Sequence, residues 1–252
     1  MKITAIFSDY DGTLAPDDVP REVSQVRRSL LGPLERLASR IPLAIITSKD
    51  YSFVGPRTPF ASAWACVSGL DIVVKGRKLP PDPQTSGRLE EAVEVARRIL
   101  GPGPSVELKR SATSNRLLGF SIDWRLNAVP TPGNLRALEE RLSAMGLWVV
   151  YDPQLPFVDA FGAEPDKGTA LNRLKGLLGV RGKVLFLGDS RSDVPALRSA
   201  DMGICVDHGQ DLDVVGWPHS VPVERLAAFL DDLYDNDLEA DAPGPENLRF
   251  AR

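Results

Sequence analysis

Asp9 and Asp11 stand one residue apart in Phe7-Ser8-Asp9-Tyr10-Asp11-Gly12-Thr13, directly after an apolar run that begins at Ile3. In an extended chain, positions i and i+2 face the same way. Two carboxylates so placed repel each other unless a cation lies between them. A hard divalent cation with oxygen ligands meets that need. Gly12 permits a positive-φ turn close to a bound group, and the Thr13 hydroxyl can pin the turn. The same residues also suit an Asx-turn cluster that merely ends a strand; taken alone, they weigh evenly between the two uses.

Two other apolar runs end in polar residues in the same manner. Pro42 to Ile46 is followed by Thr47-Ser48-Lys49-Asp50, and Val184 to Leu187 by Gly188-Asp189-Ser190. Short runs that are apolar nearly throughout predict strands buried on both faces of a parallel sheet. Helical patterns lie between them, from Arg21 to Ala38 and from Thr169 to Leu178. The alternation predicts an α/β fold with a doubly wound, Rossmann-like parallel-sheet core. Ligands of such sheets bind beyond the carboxyl ends of the strands, so the three polar endings are expected to converge.

The middle of the chain reads differently. After the linker-like Pro80-Pro81-Asp82-Pro83 comes a helical stretch from Arg88 to Leu100, then strand-like pieces from Val106 to Arg110 and from Leu117 to Arg125. A second helix, from Pro132 to Met145, carries Leu135, Leu138 and Leu142 at helical spacing. Two more strands are expected from Leu147 to Tyr151 and from Phe157 to Phe161. This helix-strand-strand pattern, given twice, predicts an inserted α+β cap domain. The expected division is residues 1–80 and 163–234 as catalytic core, 81–162 as cap, and 235–252 as an acidic, disordered tail.

Taken together, the polar endings resemble the motifs of the haloacid dehalogenase-like phosphatases. Asp9-Tyr10-Asp11-Gly12-Thr13-Leu14 resembles the first motif, Thr47 the second, Lys167 in Pro165-Asp166-Lys167-Gly168-Thr169 the third, and Gly188-Asp189-Ser190-Arg191-Ser192-Asp193 the fourth, in that order along the chain. The resemblance implies Asp9 as nucleophile, Asp11 as general acid and base, and Thr47 and Lys167 as phosphate-binding groups. It implies Mg²⁺ held by Asp9, Asp189 and the main-chain carbonyl of Asp11, with Ser192 and Asp193 supporting that site from behind. Many relatives have Asn where this chain has Ser192. The doubled insert resembles the caps of the sugar-phosphatase branch, which includes trehalose-phosphate, sucrose-phosphate and mannosyl-phosphoglycerate phosphatases. The implied activity is hydrolysis of a small phosphorylated metabolite, a sugar phosphate or a glycosyl-phosphoglycerate. Glu107, Lys109 and Arg125 are the candidate substrate contacts of the cap, against the plainer reading of a solvated strand face. Trp124 and Trp148 read as packing residues. A phosphomutase, or a non-catalytic metabolite-binding protein on the same scaffold, remains the alternative.

Composition narrows the partners. Hydrophobic residues make up 43% and charged residues 25% of 252 residues, an ordinary globular balance. The net charge of -4 and the lack of a basic cluster disfavour a nucleic-acid partner. The N-terminal apolar run stops at Asp9, too short for a signal peptide or a membrane span. A cytoplasmic location is expected, and Cys66 and Cys205, both in apolar runs, are expected to be buried and reduced.

Overall fold

The computed structural model describes residues 1–81, 88–101, 103–125, 127, 129–153, 155–209 and 219–240. Along the chain the elements are β1 (Ile3–Ser8), α1 (Arg28–Ala38), β2 (Leu43–Ile46), α2 (Tyr51–Val54), β3 (Ala63–Cys66), β4 (Asp71–Val74) and β5 (Arg77–Lys78). There follow α3 (Leu89–Leu100), β6 (Ser105–Arg110), β7 (Leu117–Asp123), α4 (Pro132–Ala144), β8 (Trp148–Tyr151) and β9 (Phe157–Phe161). The chain then returns with α5 (Lys167–Leu178), β10 (Lys183–Gly188), α6 (Val194–Ser199), β11 (Met202–Asp207), β12 (Ser220–Pro222) and α7 (Leu226–Asp235).

Eight strands form one sheet in the order β12-β11-β10-β1-β2-β3-β4-β5. It is parallel from β12 through β3 and antiparallel at β4 and β5. Strand alternation sends Ile3, Ile6, Leu43, Ile45, Leu185 and Leu187 to one face, beneath α1 and α7. Phe7, Ala44, Ile46, Val184 and Phe186 go to the other, beneath α5 and α6. Both faces are therefore dry, which is why the strand sequences are apolar without a break. The result is the expected doubly wound core.

Four strands form a second, antiparallel sheet in the order β6-β7-β9-β8. Helices α3 and α4 cover one of its faces through Leu89, Val93, Phe120, Ile122, Leu138 and Val158. Registers place Glu107, Ser121, Asp159 and Val150 in one row, and Lys109, Gly119, Phe161 and Trp148 in the next, on the opposite face.

Several local expectations are corrected. The helix expected from Arg21 to Ala38 is a 3-10 turn over Arg21–Val23 and then, four residues later, α1. Tertiary contacts hold the gap extended: Val26 is buried, and Arg27 donates its backbone N–H to Leu14 and its guanidinium to the Thr13 carbonyl. The tail expected to be disordered from residue 235 is ordered to Ala240. Leu238 and Ala240 are buried, and the Ala240 amide donates to the Met1 carbonyl. Positions 241–252 lie outside the described residues, as do Asp82 and Pro83 of the expected linker. Trp124 packs in the second sheet's core as expected, but Trp148 is 49% exposed on that sheet's open face. Cys66 and Cys205 are free thiols and buried. Among the described residues, no helix is long and apolar enough to cross a membrane.

Candidate active site

The chain leaves β1 in a turn, and that turn decides where the first two carboxylates point. Asp9 is still tied to the sheet, its amide donating to the Leu187 carbonyl of β10 at 2.9 Å. Beyond it the backbone bends, and Leu14 and Ala15 both donate back to the Tyr10 carbonyl. The i, i+2 rule of an extended strand therefore no longer applies at Asp11. Its carboxylate lies 3.7 Å from Lys49 Nζ. The carboxylates that cluster within 4.8 Å are Asp9, Asp189 and Asp193.

Each member of that cluster has a distinct set of partners. Lys167 Nζ stands between two of them, 3.1 Å from Asp9 Oδ2 and 2.7 Å from Asp193 Oδ1. Asp193 Oδ2 accepts from the amides of Asp189 and Ser190 and from the Ser190 hydroxyl. Asp193 thus makes no capping bond to α6; it holds Lys167 and shapes the loop that carries Asp189. Asp189 Oδ1 accepts from the Thr13 hydroxyl at 2.7 Å. Ser192 is exposed and meets only Ser190, hydroxyl to hydroxyl at 2.9 Å. Lys167 is the first residue of α5, whose N-terminus Asp166 caps by accepting from Gly168 and Thr169. The capping bonds and the two carboxylate partners keep a buried cation there despite the unfavourable end of the helix dipole.

Thr47 is fully buried at the end of β2, next to β1. It does not cap the following helix, a task that falls to Asp50. Ser68, at φ +52°, donates its amide to the Thr47 carbonyl, and its own carbonyl accepts from Asp166. A left-handed non-glycine residue thereby links the β2 terminus to the start of α5, a strained conformation of the kind found where structure over-determines the backbone.

The electrostatics follow from burial. It is the largest influence on Asp9, and with the charges of Asp193 and Asp11 it outweighs Lys167, so the Asp9 carboxyl is pushed up to about 7. Burial, then Asp193 and Asp9, push Asp189 well above the carboxylate range. Burial also opposes charge on Lys167, but Asp193 and Asp9 outweigh it and raise its pKa. Asp9 Oδ1 is buried without a hydrogen-bond partner. An all-oxygen donor set, an orphaned carboxylate oxygen and two carboxylates that resist ionising side by side fit a hard divalent cation.

That arrangement has a measurable consequence for the metal-free protein. Asp9 binds its proton more tightly folded than unfolded, so stability is present at low pH and falls as pH rises from about 4 through 7. At about 1.4 kcal/mol per unit of pKa separation, the loss is of the order of a few kcal/mol. Urea midpoints in chelator are expected to be lower at pH 8 than at pH 5, and added divalent cation to recover them at pH 8. Midpoints flat across this range would contradict the assignment.

Gly12 is required twice over. Its φ is +74°, and a Cβ there would fall 2.0 Å from Asp189 Oδ2. Gly12→Ala is expected to cost about 1–2 kcal/mol in backbone strain, read from urea denaturation. It should also weaken divalent-cation binding by displacing Asp189, read by calorimetric titration.

The cap candidates separate in space. Glu107 reaches the first sheet's loops, 3.0 Å from Lys49 and 3.1 Å from Arg21. Lys109 is 1% exposed and pairs with Asp159 at 2.7 Å, while Ser121 also donates to Asp159. The absent side chain of Gly119, between them in the register, leaves Lys109 Nζ 5.1 Å from the Phe161 ring. Arg125 pairs with Asp123 and donates to the Asp17 carbonyl across the two sheets. A further cross-contact joins Asp152, after β8, to Arg191 at 3.5 Å. The sequence reading did not assign Arg21, Lys49, Asp159 or Ser121. Asp159 carried a signal, a lone carboxylate inside the apolar strand Phe157-Val158-Asp159-Ala160-Phe161; Arg21 carried none.

No family model matches the sequence. Among curated proteins, the chain is 26% identical over 137 residues to trehalose-phosphate phosphatases of Mycobacterium tuberculosis and Mycobacterium bovis. The match covers 53% of this chain and only 34% of the relatives' own length. Among solved structures, a trehalose-6-phosphate phosphatase related protein superposes with a TM-score of 0.68 at 20% identity, over 92% of this chain and 98% of that one. A haloacid dehalogenase-like hydrolase from Bacteroides thetaiotaomicron gives 0.69 at 15%, over 92% and 100%. A sugar phosphatase of haloacid dehalogenase subclass IIB gives 0.64 at 14%, over 94% and 100%. The shared feature at these identities is the fold, which is that of the haloacid dehalogenase-like hydrolases.

Proposed function

We propose that this chain is a Mg²⁺-dependent phosphomonoesterase acting on a small sugar phosphate. The observation that carries this reading is the convergence of Asp9, Lys167, Asp189 and Asp193 at the ends of β1 and β10, with Asp9 Oδ1 left unpartnered. A cluster built only for stability gains nothing from leaving a buried carboxylate oxygen without a partner.

Asp9, Asp189 and the Asp11 carbonyl are the groups that would hold Mg²⁺. Mg²⁺ when bound supplies charge neutralisation between carboxylate and phosphate and polarises the phosphoryl oxygens. Asp9 attacks phosphorus, forming a carboxylate–phosphorus bond as the bond to the leaving oxygen breaks. Lys167, fixed by Asp193, and the buried Thr47 hydroxyl bind the equatorial oxygens where charge gathers. Asp11 gives its proton to the leaving oxygen and then takes one from the water that cleaves the aspartyl-phosphate. Burial, which dominates, and Glu107 raise the Asp11 pKa against Lys49, in the direction a general acid needs. Residues 1–80 and 163–234 act as the catalytic core. Residues 81–162 act as a cap whose open face, with Glu107, Lys109, Ser121 and Asp159, meets the leaving group; Arg125 braces the cap through Asp17.

The test is phosphate release over a panel of sugar phosphates and phosphoglycerate conjugates, with and without Mg²⁺. Trehalose 6-phosphate comes first, since the curated relatives are named for trehalose phosphate and a similar solved structure for its 6-phosphate. Mg²⁺-dependent release from at least one sugar phosphate is expected. No release from any phosphomonoester at any metal concentration would end the reading.

A further inference from the structure

Glu107 is a cap residue whose carboxylate is occupied by cations from the other sheet. Its Oε2 accepts from Lys49 at 3.0 Å, and its Oε1 forms an ion pair with Arg21 at 3.1 Å that lacks hydrogen-bond geometry. The side chains of Glu107 and Lys49 are only 15% and 18% exposed, so this ion pair is largely out of water. Both cations are already held on their own side of the cleft. Arg21 lies 4.4 Å over the buried Phe53 ring and 3.6 Å from Asp50. Lys49 lies 5.6 Å from the same ring and 3.7 Å from Asp11. The core thus presents a formed receptor, and the cap inserts one carboxylate into it.

We propose that Arg21 and Lys49 are positioning residues: with Glu107 they latch the cap over the cleft, and through Lys49 the latch sets the placement of the Asp11 carboxylate. The role of Asp11 rests on the phosphatase reading; the latch does not. With the cap open, Lys49 has a single carboxylate within reach and is free to follow it into solvent. With the cap closed, Lys49 is held between Glu107 and Asp11, so its ammonium is fixed and Asp11 is fixed by it. A small displacement of such a group costs much of its catalytic effect. Partly buried pairs of this kind are also weakly screened by salt, so the latch holds at physiological ionic strength. Glu107 thereby contributes to turnover even for substrates too small to touch it.

The test uses the full chain with nitroxide labels at Glu35→Cys on α1 and Arg98→Cys on α3. Both positions are exposed, and the two native thiols are buried. One narrow distance distribution is expected in the otherwise unaltered protein. Broadening toward longer distances is expected in Glu107→Gln and in Arg21→Ala. Distributions in both variants that match the parent would overturn the latch. A second measurement follows p-nitrophenyl phosphate hydrolysis with Mg²⁺. Lys49→Met is expected to lower kcat about tenfold or more with KM little changed, and Lys49→Arg, long enough to reach both carboxylates, to restore most of it. Parent-like kcat in Lys49→Met, or no difference between Met and Arg at position 49, would overturn the link to Asp11. A chain that hydrolyses nothing would end the phosphatase reading, while the distance measurement would still decide the latch.

Discussion

Asp9→Asn is expected to remove turnover by at least ~10³-fold on every substrate, because it deletes the proposed nucleophile. It is not expected to lower stability. Asp9 is 6% exposed and shares its surroundings with Asp189 and Asp193. Burial, then the charges of Asp193 and Asp11, already press it toward its neutral form, to a pKa of about 7. An amide of the same size removes the repulsion and leaves Lys167 paired with Asp193. At pH 8 without metal, the variant should unfold at equal or higher urea concentration than the parent. Phosphate release and urea denaturation on one preparation check both halves. Retained activity would place the nucleophile elsewhere, and a large drop in midpoint would make Asp9 a structural residue.

Lys167→Met carries the largest expected loss of stability. Lys167 is 3% exposed, and its ammonium joins Asp9 to the fully buried Asp193. Taking one partner from a buried pair leaves a charge without compensation, at a cost of about 3–5 kcal/mol. The cost should be smaller at pH 5 than at pH 8, because Asp9, whose pKa burial already raises to about 7, takes up a proton instead. Adding Asp193→Asn should recover part of the stability and none of the activity, since the proposed phosphate site would still lack its cation. Urea midpoints at the two pH values, with and without the second change, measure this. A single variant as stable as the parent at pH 8 would show that the ammonium is not what holds the acidic cluster together.

The two effects differ in sign because the site combines opposed demands. Asp193 is fully satisfied by two amides, a hydroxyl and Lys167. Asp9 is satisfied on one oxygen and left open on the other. A fold selected for stability alone would leave neither oxygen open. The open one is where the proposed chemistry occurs.

Much of this was legible in the sequence because it depends on local pattern. Apolar runs ending in Asp9, Thr47 and Gly188-Asp189 imply buried parallel strands with ligand-binding ends, whatever the tertiary detail. The doubled helix-strand-strand insert also follows from periodicity alone. β3, β4 and β5 were less legible: Ala63-Trp64-Ala65-Cys66 is short and carries no alternation, and β5 has two exposed residues. The start of α1 is not legible locally, because helix propensity near Arg21 yields to hydrogen bonds of Arg27 with a turn thirteen or more residues away and to burial of Val26. The order of positions 235–240 was missed for a similar reason. Leu238 is buried only because the first strand passes beside it.

What the sequence by itself determined was therefore the inventory: which residue types stand at the strand ends, and that Asp9, Lys167 and Asp189 belong to one crevice. Which carboxylates cluster was decided only by tertiary structure. The turn after β1 brings Asp11 to Lys49, and the loop after β10 brings Asp193 to Lys167. The reach of Glu107 to Arg21 and Lys49 was decided in the same way. Pairings between side chains 58 or 86 residues apart depend on how two sheets face one another, and no spacing along the chain encodes that.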